Sequence, residues 1–184
     1  HLSVHSFPTR RSSDLAQTVP AETQVPIFFK LLTYDRTLWE EPREQLRIGV
    51  LHRQGDAASQ ADLAGVAAAL TAAADKTING VDFDFTTLTW SDPAELEARL
   101  AAADVDVLYV TAGHRDVLGA VTGATRARGI LSLAARSEDV ARGLSVGLGL
   151  QDERPRPLVN LVALAAEGHQ LEARVLTLCR VVQR

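Results

Sequence analysis

The residues best suited to bind a small molecule or an anion lie in one short loop, residues 111–116 (TAGHRD). The loop follows a predicted buried strand and precedes a predicted helix, which is where open α/β sheets bind ligands. Free N–H groups at a helix start attract anions, and Arg115 could add charge-assisted hydrogen bonds. Gly113, His114 and Arg115 are therefore the candidate ligand residues. The loop has one glycine and neither a GxGxxG nor a GxxxxGK[ST] pattern, which argues against a nucleotide site.

The other reactive residue types show no catalytic or metal-binding spacing. Beyond residues 1–15 the histidines are His52, His114 and His169, and no two of them have the spacing of metal ligands. Cys179 is the only cysteine, so no internal disulfide can form. Its apolar, helix-like surroundings favour a buried position over an intermolecular disulfide. No GxSxG motif occurs. We therefore expect no enzymatic activity, no cofactor and no stoichiometric metal.

Aromatic residues cluster near the start of a chain in which they make up only 5% of the sequence. The cluster comprises Phe28, Phe29, Tyr34 and Trp39. Packing in the core is one interpretation, and an interaction surface is the other, because aromatic anchors concentrate binding energy. On the second interpretation Phe28, Tyr34 and Trp39 bind a partner. Trp39 is the best candidate because it lies beyond the apolar stripe of the predicted helix, and Trp39→Ala should then spare stability and abolish binding.

Composition indicates one globular domain. The chain has 184 residues, of which 46% are apolar and 23% charged, enough to bury a core. The formal charge is 19 − 23 = −4. This acidic balance, without a basic cluster in the body of the chain, argues against a nucleic-acid groove. No apolar stretch approaches the roughly 18 residues of a membrane span.

Strand and helix patterns alternate along the chain. The predicted strands are residues 46–52, 81–85 with a bulge or strand end near 86–87, 105–110 and 130–133. A predicted hairpin of residues 144–151 and 156–161 follows. The first predicted helix begins at Pro26, and the second covers residues 60–74. The third runs from an N-cap at Asp92 to about residue 103, and the fourth includes residues 117–121 and stops at Gly129. The last covers residues 171–182. Alternation of this kind predicts a three-layer α/β sandwich with a mixed, mainly parallel sheet and a C-terminal antiparallel hairpin plus helix.

The first residues do not resemble the rest of the chain. Residues 5–15, HSFPTRRSSDL, look like one reading frame of a DNA-sequencing adapter. We therefore interpret residues 1–15 as non-native, and deleting them should leave the thermal midpoint unchanged. A signal or transit peptide is the alternative, but no apolar h-region follows Arg10 and Arg11. Residues 16–24 are then a flexible mature N-terminus whose signal peptide is absent from this chain, and residues 25–184 form a single domain.

Three segments in this order resemble the YfiR-type periplasmic proteins, long described as a domain of unknown function. The strongest resemblance is in residues 144–182, LSVGLGLQDERPRPLVNLVALAAEGHQLEARVLTLCRVV. This segment has an alternating strand, a turn, a strand ending in Asn160-Leu161 and a helix-like pattern of spaced leucines. VPIFFKLLTYDR resembles the opening helix of the family, and LRIGVLHR resembles its first strand. The resemblance covers about residues 25–182.

The resemblance implies an exported, non-enzymatic regulator. Its best-known relatives restrain a membrane-bound diguanylate cyclase from the periplasmic side, and so limit cyclic-di-GMP signalling and biofilm growth. The implied partner is the periplasmic part of such a cyclase or of a sensor kinase, and a homodimer is also open. Relatives tuned by disulfides carry several cysteines, so redox control is not implied here. The family often ends its first helix in Trp-Pro, whereas two glutamates separate Trp39 from Pro42 here.

A small-molecule module is the alternative function. LRIGVLH also suits the first strand of one lobe of a periplasmic solute-binding protein. A chain of this length leaves no room for a second lobe to close over a ligand, which disfavours this hypothesis.

Overall fold

One mixed β-sheet organises the part of the chain that the computed structural model describes, residues 18–183. The strands are β1 (Gln45–His52), β2 (Asp82–Thr89), β3 (Val107–Val110), β4 (Leu131–Ala134), β5 (Val146–Gln151), β6 (Arg154–Asn160) and β7 (Arg180–Gln183). The α-helices are α1 (Ala21–Leu32), α2 (Ala57–Ala72), α3 (Pro93–Ala102), α4 (Leu118–Arg128), α5 (Glu138–Ala141), α6 (Leu161–Ala166) and α7 (Ala173–Leu176). Short 3-10 turns span Thr37–Trp39 and Arg115–Val117.

The order of strands in the sheet is β2-β1-β3-β4-β5-β6-β7. Every neighbouring pair is parallel except β5 and β6, which form the predicted antiparallel hairpin. The predicted mixed, mainly parallel sheet is therefore confirmed.

Helices cover both faces of this sheet and complete the predicted three-layer sandwich. Successive side chains of a strand point to opposite faces, so each central strand contributes side chains to two apolar clusters. On β3, Val107 and Tyr109 pack in the cluster that contains α1 and α2. Leu108 and Val110 pack in the cluster that contains α3 and α4. Both faces of β3 are thus buried, in agreement with its continuous run of large apolar and aromatic residues.

Local signals explain where the helices begin and end. Asp92 accepts a hydrogen bond from the Glu95 amide at 2.9 Å, which confirms the predicted N-cap of α3. Asp56 caps α2 in the same way, so α2 begins three residues before the predicted Gln60. Gly129 ends α4 with φ +67°, a left-handed conformation that favours glycine.

The predicted C-terminal helix over residues 171–182 is wrong. Only Ala173–Leu176 is α-helical, and Arg180–Gln183 forms β7 beside β6. Spaced leucines fit a helix, but Val181 and Val182 are β-branched residues that favour a strand. In β7, Val181 pairs with Val159 and Gln183 pairs with Asn160 of β6. Pairing with the sheet therefore overrides the local helical pattern. The apolar residues after Asn160 form α6, which includes Leu161, the last residue of the predicted strand.

Two further boundaries differ from the sequence predictions. The eight residues of β2 pair with β1 in continuous register, so neither the bulge nor the strand end expected near residues 86–87 occurs. α1 begins at Ala21 and contains Pro26 within it. Val19 and Gln24 are buried, so the described part of the predicted flexible segment belongs to the fold. Residues 1–17 lie outside the described part of the chain.

Candidate functional site

The strand order reverses at β1, and the carboxyl ends of β1 and β3 flank the crevice where this class of sheet binds ligands. The structure places the predicted ligand loop there, directly after β3. Arg53, which follows β1, donates from Nη1 to the Gly113 carbonyl at 2.9 Å and to Asp116 at 2.5 Å. The hydrogen bond from Arg53 holds the pKa of Asp116 below its ordinary value. The two loops are therefore tied together across the crevice.

Gly113 packs against the carboxylate that caps α2. Its φ is +89°, and an added Cβ would lie 2.7 Å from the Asp56 carboxyl carbon. Asp56 in turn accepts a hydrogen bond from the Ser59 amide at 2.8 Å. The glycine thus allows a close approach between two parts of the chain and does not open space for a phosphate.

Gly113→Ala should lower the free energy of unfolding by about 1–3 kcal/mol, because alanine is strained at a positive φ and collides with Asp56. Gly119→Ala on α4 is the matched control, since an added Cβ there meets nothing within 4 Å. The control should be neutral or gain up to about 1 kcal/mol of helix propensity. Chemical denaturation measures both, and equal midpoints would contradict the close approach.

His114 is buried and Arg115 is exposed, so the three predicted ligand residues do not converge on one site. Burial lowers the pKa of His114, and its Nδ1 donates to the Thr111 carbonyl at 3.0 Å. Its Nε2 has no hydrogen-bond partner among the described residues. His114 therefore acts as a neutral core side chain that holds the loop closed.

The neighbouring part of this sheet edge is covered by the start of α1. The Tyr109 hydroxyl donates to Gln24 Oε1 at 2.6 Å, and Gln24 Nε2 donates to the Ala135 carbonyl at 3.1 Å. Arg136, after β4, pairs with Asp62 of α2 at 2.9 Å. The polar groups at this edge thus bond to one another, and α1 lies where a ligand of an open sheet would enter.

The aromatic candidates separate into one core residue and two residues near the surface. Phe28 is 2% exposed and packs edge to face with Tyr109, with ring centroids 6.3 Å apart. It has no surface to offer a partner. Trp39 is half-buried and donates from Nε1 to the Leu32 carbonyl at 2.7 Å. Trp39→Ala would therefore also cost stability, which makes it a poor test of binding.

Tyr34 lies at the surface between two cations. Lys30 Nζ is 5.4 Å and Arg174 Cζ is 5.0 Å from the centre of its ring. Arg174 belongs to α7, so Tyr34 connects the end of α1 with the C-terminal part of the chain. Two peptide hydrogen bonds continue this connection, from the Arg36 amide to the Gln170 carbonyl at 2.9 Å and from the Glu172 amide to the Tyr34 carbonyl at 3.0 Å. We call residues 34–36 and 170–172 the seam.

A cavity of about 280 Å³ opens between α6 and α7 beside the seam. Its apolar lining consists of Leu161, Leu164, Ala165, Leu171, Ala173 and Leu176. Arg36, His169 and Gln170 supply its polar lining. We call the cavity and the adjoining Tyr34 the α6–α7 surface. Leu178, just beyond α7, is 69% exposed and adds to the apolar character of this end of the molecule.

A buried pair of ionisable side chains lies beneath the α6–α7 surface. His169 Nδ1 is 2.6 Å from Asp35 Oδ2, and His169 Nε2 is 2.8 Å from the Gly129 carbonyl. Burial lowers the pKa of His169, but the hydrogen bond and charge of Asp35 together with the Gly129 carbonyl outweigh it and raise the pKa overall. The pair holds the end of α1 against the segment between α6 and α7.

Sequence reasoning missed both the cavity and the pair. Asp35 and His169 are 134 residues apart, and neither has a motif around it. The cavity lies where the chain leaves α6 and enters α7, and the leucine spacing predicts a helix only from residue 171 onward. One signal in the sequence could have indicated α6. The apolar run after Asn160 is too long to be the end of an edge strand.

The described residues contain no group of three His, Cys, Asp or Glu side chains placed to hold a metal ion. Asp82 and Asp84 share one face of β2 and are both exposed to solvent. Cys179 is buried and unpaired, as predicted. Within residues 18–183 no helix has the length and apolar character to cross a membrane.

A family model described as YfiR/HmsC-like matches residues 22–180. No curated protein matches the sequence.

Solved structures share the fold at low sequence identity. An ABC domain from Streptococcus pneumonia in complex with L-Trp has a TM-score of 0.62 at 13% identity, and a conserved domain protein from Vibrio cholerae has 0.62 at 14%. Each match covers 88% of this chain and 60% of the other. A ligand-free, open substrate binding protein with adhesive properties from Clostridium difficile has a TM-score of 0.55 at 16% identity, covering 75% of this chain and 54% of its own. This chain thus spans little more than half of these proteins.

Proposed function

We propose a regulatory function for this chain, which belongs to the YfiR/HmsC-like family. It acts in the periplasm and restrains a membrane-bound signalling protein, a diguanylate cyclase or a sensor kinase, through contact with the periplasmic part of that protein. This function needs an accessible interaction surface and no catalytic group.

The observation that carries the proposal is the apolar cavity of the α6–α7 surface. An interface gains most of its energy from a few anchors that fill pockets, and burying one large apolar side chain contributes about 1.5–3 kcal/mol. Ala165 and Ala173 are exposed and lie on this cavity, so an incoming side chain meets no bulky rim there. A hydrophobic anchor of the partner would fill the cavity, with Tyr34 contacting the edge of the interface.

The hydroxyl groups nearest the crevice support a non-enzymatic role. Ser59 Oγ accepts from the Arg53 amide at 2.8 Å and lies 2.7 Å from Thr111 Oγ1. Thr111 Oγ1 is itself bonded to the Leu51 carbonyl at 2.8 Å. Both hydroxyls are fully buried and hold loops in place, and no base lies in hydrogen-bond contact with either of them among the described residues.

A small-molecule binding module is the second candidate. The likeness to a substrate binding protein and the position of the predicted ligand loop at the crevice favour it. The ion pair of Arg53 with Asp116 would have to open before a ligand could enter. We therefore rank this function below partner binding.

Ala165→Trp should reduce capture of the partner at least tenfold, because the indole fills the cavity from an exposed position and leaves the core intact. The probe is the purified periplasmic part of the cyclase or sensor kinase encoded beside this gene, immobilised for a pull-down and titrated for affinity. Ala166→Trp is the matched control. Ala166 is also exposed on the same helix, but it does not line the cavity.

Thermal melts of both variants should coincide with that of the unmodified chain. If Ala165→Trp folds normally and binds as well as Ala166→Trp, the cavity is not the docking site.

A further inference from the structure

We infer that the buried Asp35–His169 pair makes the α6–α7 surface responsive to pH: a proton on His169 locks the seam, and its loss loosens the seam. The effect on partner affinity rests on the proposed function. The effect on the seam is a property of the chain alone.

The hydrogen bonds of His169 define its charge. Nδ1 faces a carboxylate oxygen of Asp35, and Nε2 faces the Gly129 carbonyl oxygen. Neither atom can donate, so both ring nitrogens must carry hydrogen for both bonds to form. A neutral imidazole has one N–H and would leave either the carboxylate or the carbonyl without its bond. The geometry is therefore that of an imidazolium.

Few other charged groups act on this ring. The buried carboxyl group of Glu167, at the end of α6, raises the pKa of His169 further through its charge. Arg36 is the other ionisable side chain on the cavity, and Arg128 precedes Gly129 at the end of α4. Both arginines are exposed, so solvent screens their opposing charge.

Asp35 transmits the state of His169 to the seam. Its Oδ2 accepts from His169, and its Oδ1 accepts from the Thr37 and Leu38 amides at 3.0 and 3.3 Å. These amides begin the 3-10 turn that carries Trp39. Asp35 also forms an isolated β-bridge with Leu171 in the middle of the seam. Asp35 thus holds the turn and the histidine with its carboxylate and the seam with its backbone.

The direction of the response follows from the sign of the shift. The pKa of His169 is raised in the fold, so the stabilisation it provides is complete below the ordinary histidine value of about 6.5. That stabilisation is lost as pH rises through the raised folded pKa. The seam and its cavity are therefore best ordered at pH values below the raised pKa of His169 and loosen as the pH rises through it.

Amide hydrogen exchange of the full chain tests the inference without a partner. The reporters are the Arg36 and Glu172 amides, which donate across the seam. After correction for the intrinsic rate, their protection should fall at least tenfold between pH 6 and pH 9. In His169→Gln, which cannot titrate, protection should be independent of pH over this range. In the control His52→Gln, which alters a partly exposed ring on β1, the fall should persist.

Nitrogen NMR of the unmodified chain gives a second readout if His169→Gln fails to fold. Both ring nitrogens of His169 should be protonated at pH 6. A neutral ring at pH 6, or protection that does not change with pH, overturns the inference.

Titration of the immobilised periplasmic probe at pH 6 and pH 9 then connects the seam to binding. Affinity should weaken at least tenfold at pH 9 for the unmodified chain. A pH-dependent seam with no binding at either pH would reject the proposed function and retain the switch. Binding that is equally tight at both pH values would overturn the regulatory role.

Discussion

Glu167→Ala is expected to lower the free energy of unfolding by about 3–5 kcal/mol, among the largest effects of any single substitution in the chain. Glu167 is 1% exposed, and its carboxylate accepts four hydrogen bonds. Oε1 accepts from the hydroxyls of Thr125 and Ser132, and Oε2 accepts from the Ser132 amide and the Ser145 hydroxyl. Alanine would leave these donors unpaired around a cavity.

Denaturant titration measures the loss, with the exposed Glu97→Ala on α3 as control. The control should change stability by less than about 0.5 kcal/mol. If the two variants lose equal stability, the buried network does not hold α6 to the sheet.

The pH dependence of the free energy of unfolding, compared between Glu167→Gln and the unmodified chain, tests the same network. Burial raises the pKa of Glu167, although its hydrogen bonds from Ser132, Ser145 and Thr125 oppose the shift. A raised folded pKa means that the contribution of the group is greatest at low pH and is lost as pH rises through that pKa. The unmodified chain should therefore gain stability relative to Glu167→Gln as pH falls. The opposite slope would contradict the assignment.

Phe28→Ala is expected to cost about 3–5 kcal/mol, because it removes a ring from the centre of the α1 face. Phe28 touches Tyr109 and lines a small void with Ile48 and Leu70. Removal of its ring therefore enlarges a cavity in the core that solvent does not fill. The denaturation midpoint reports this loss.

Leu178→Ala is the control, because Leu178 is 69% exposed and should change stability by less than about 0.5 kcal/mol. A folded, fully stable Phe28→Ala would revive the hypothesis that this ring faces a partner.

The sequence predicted the sheet well because its central strands are apolar on both faces. β1 and β3 could be located from short apolar runs, and the caps at Asp92 and Gly129 could be read from residue type alone. These signals are local, so they survive folding unchanged. The hairpin of β5 and β6 was equally readable, since its residues alternate with period two over a whole strand.

The candidate site could not be predicted in the same way because it depends on long-range contacts. Nothing near Asp35 indicates that His169 lies against it, and nothing in the leucine pattern indicates that the chain turns back into β7. The predicted ligand loop lies at the crevice as expected. Its contacts with Arg53 and Asp56 could not be predicted, because those residues belong to the loop after β1. Position in the fold was therefore predictable, whereas accessibility was not.

The footprint of the partner on the chain distinguishes docking at the α6–α7 surface from docking at the crevice. Amide hydrogen exchange of the chain, with and without the periplasmic probe bound, measures which segments become protected. Partner binding should protect residues 34–39 and 161–176, on the α6–α7 surface, and leave residues 53–56 and 111–116 unchanged. Protection confined to residues 53–56 and 111–116 would instead place the interaction at the crevice and contradict the proposed docking surface.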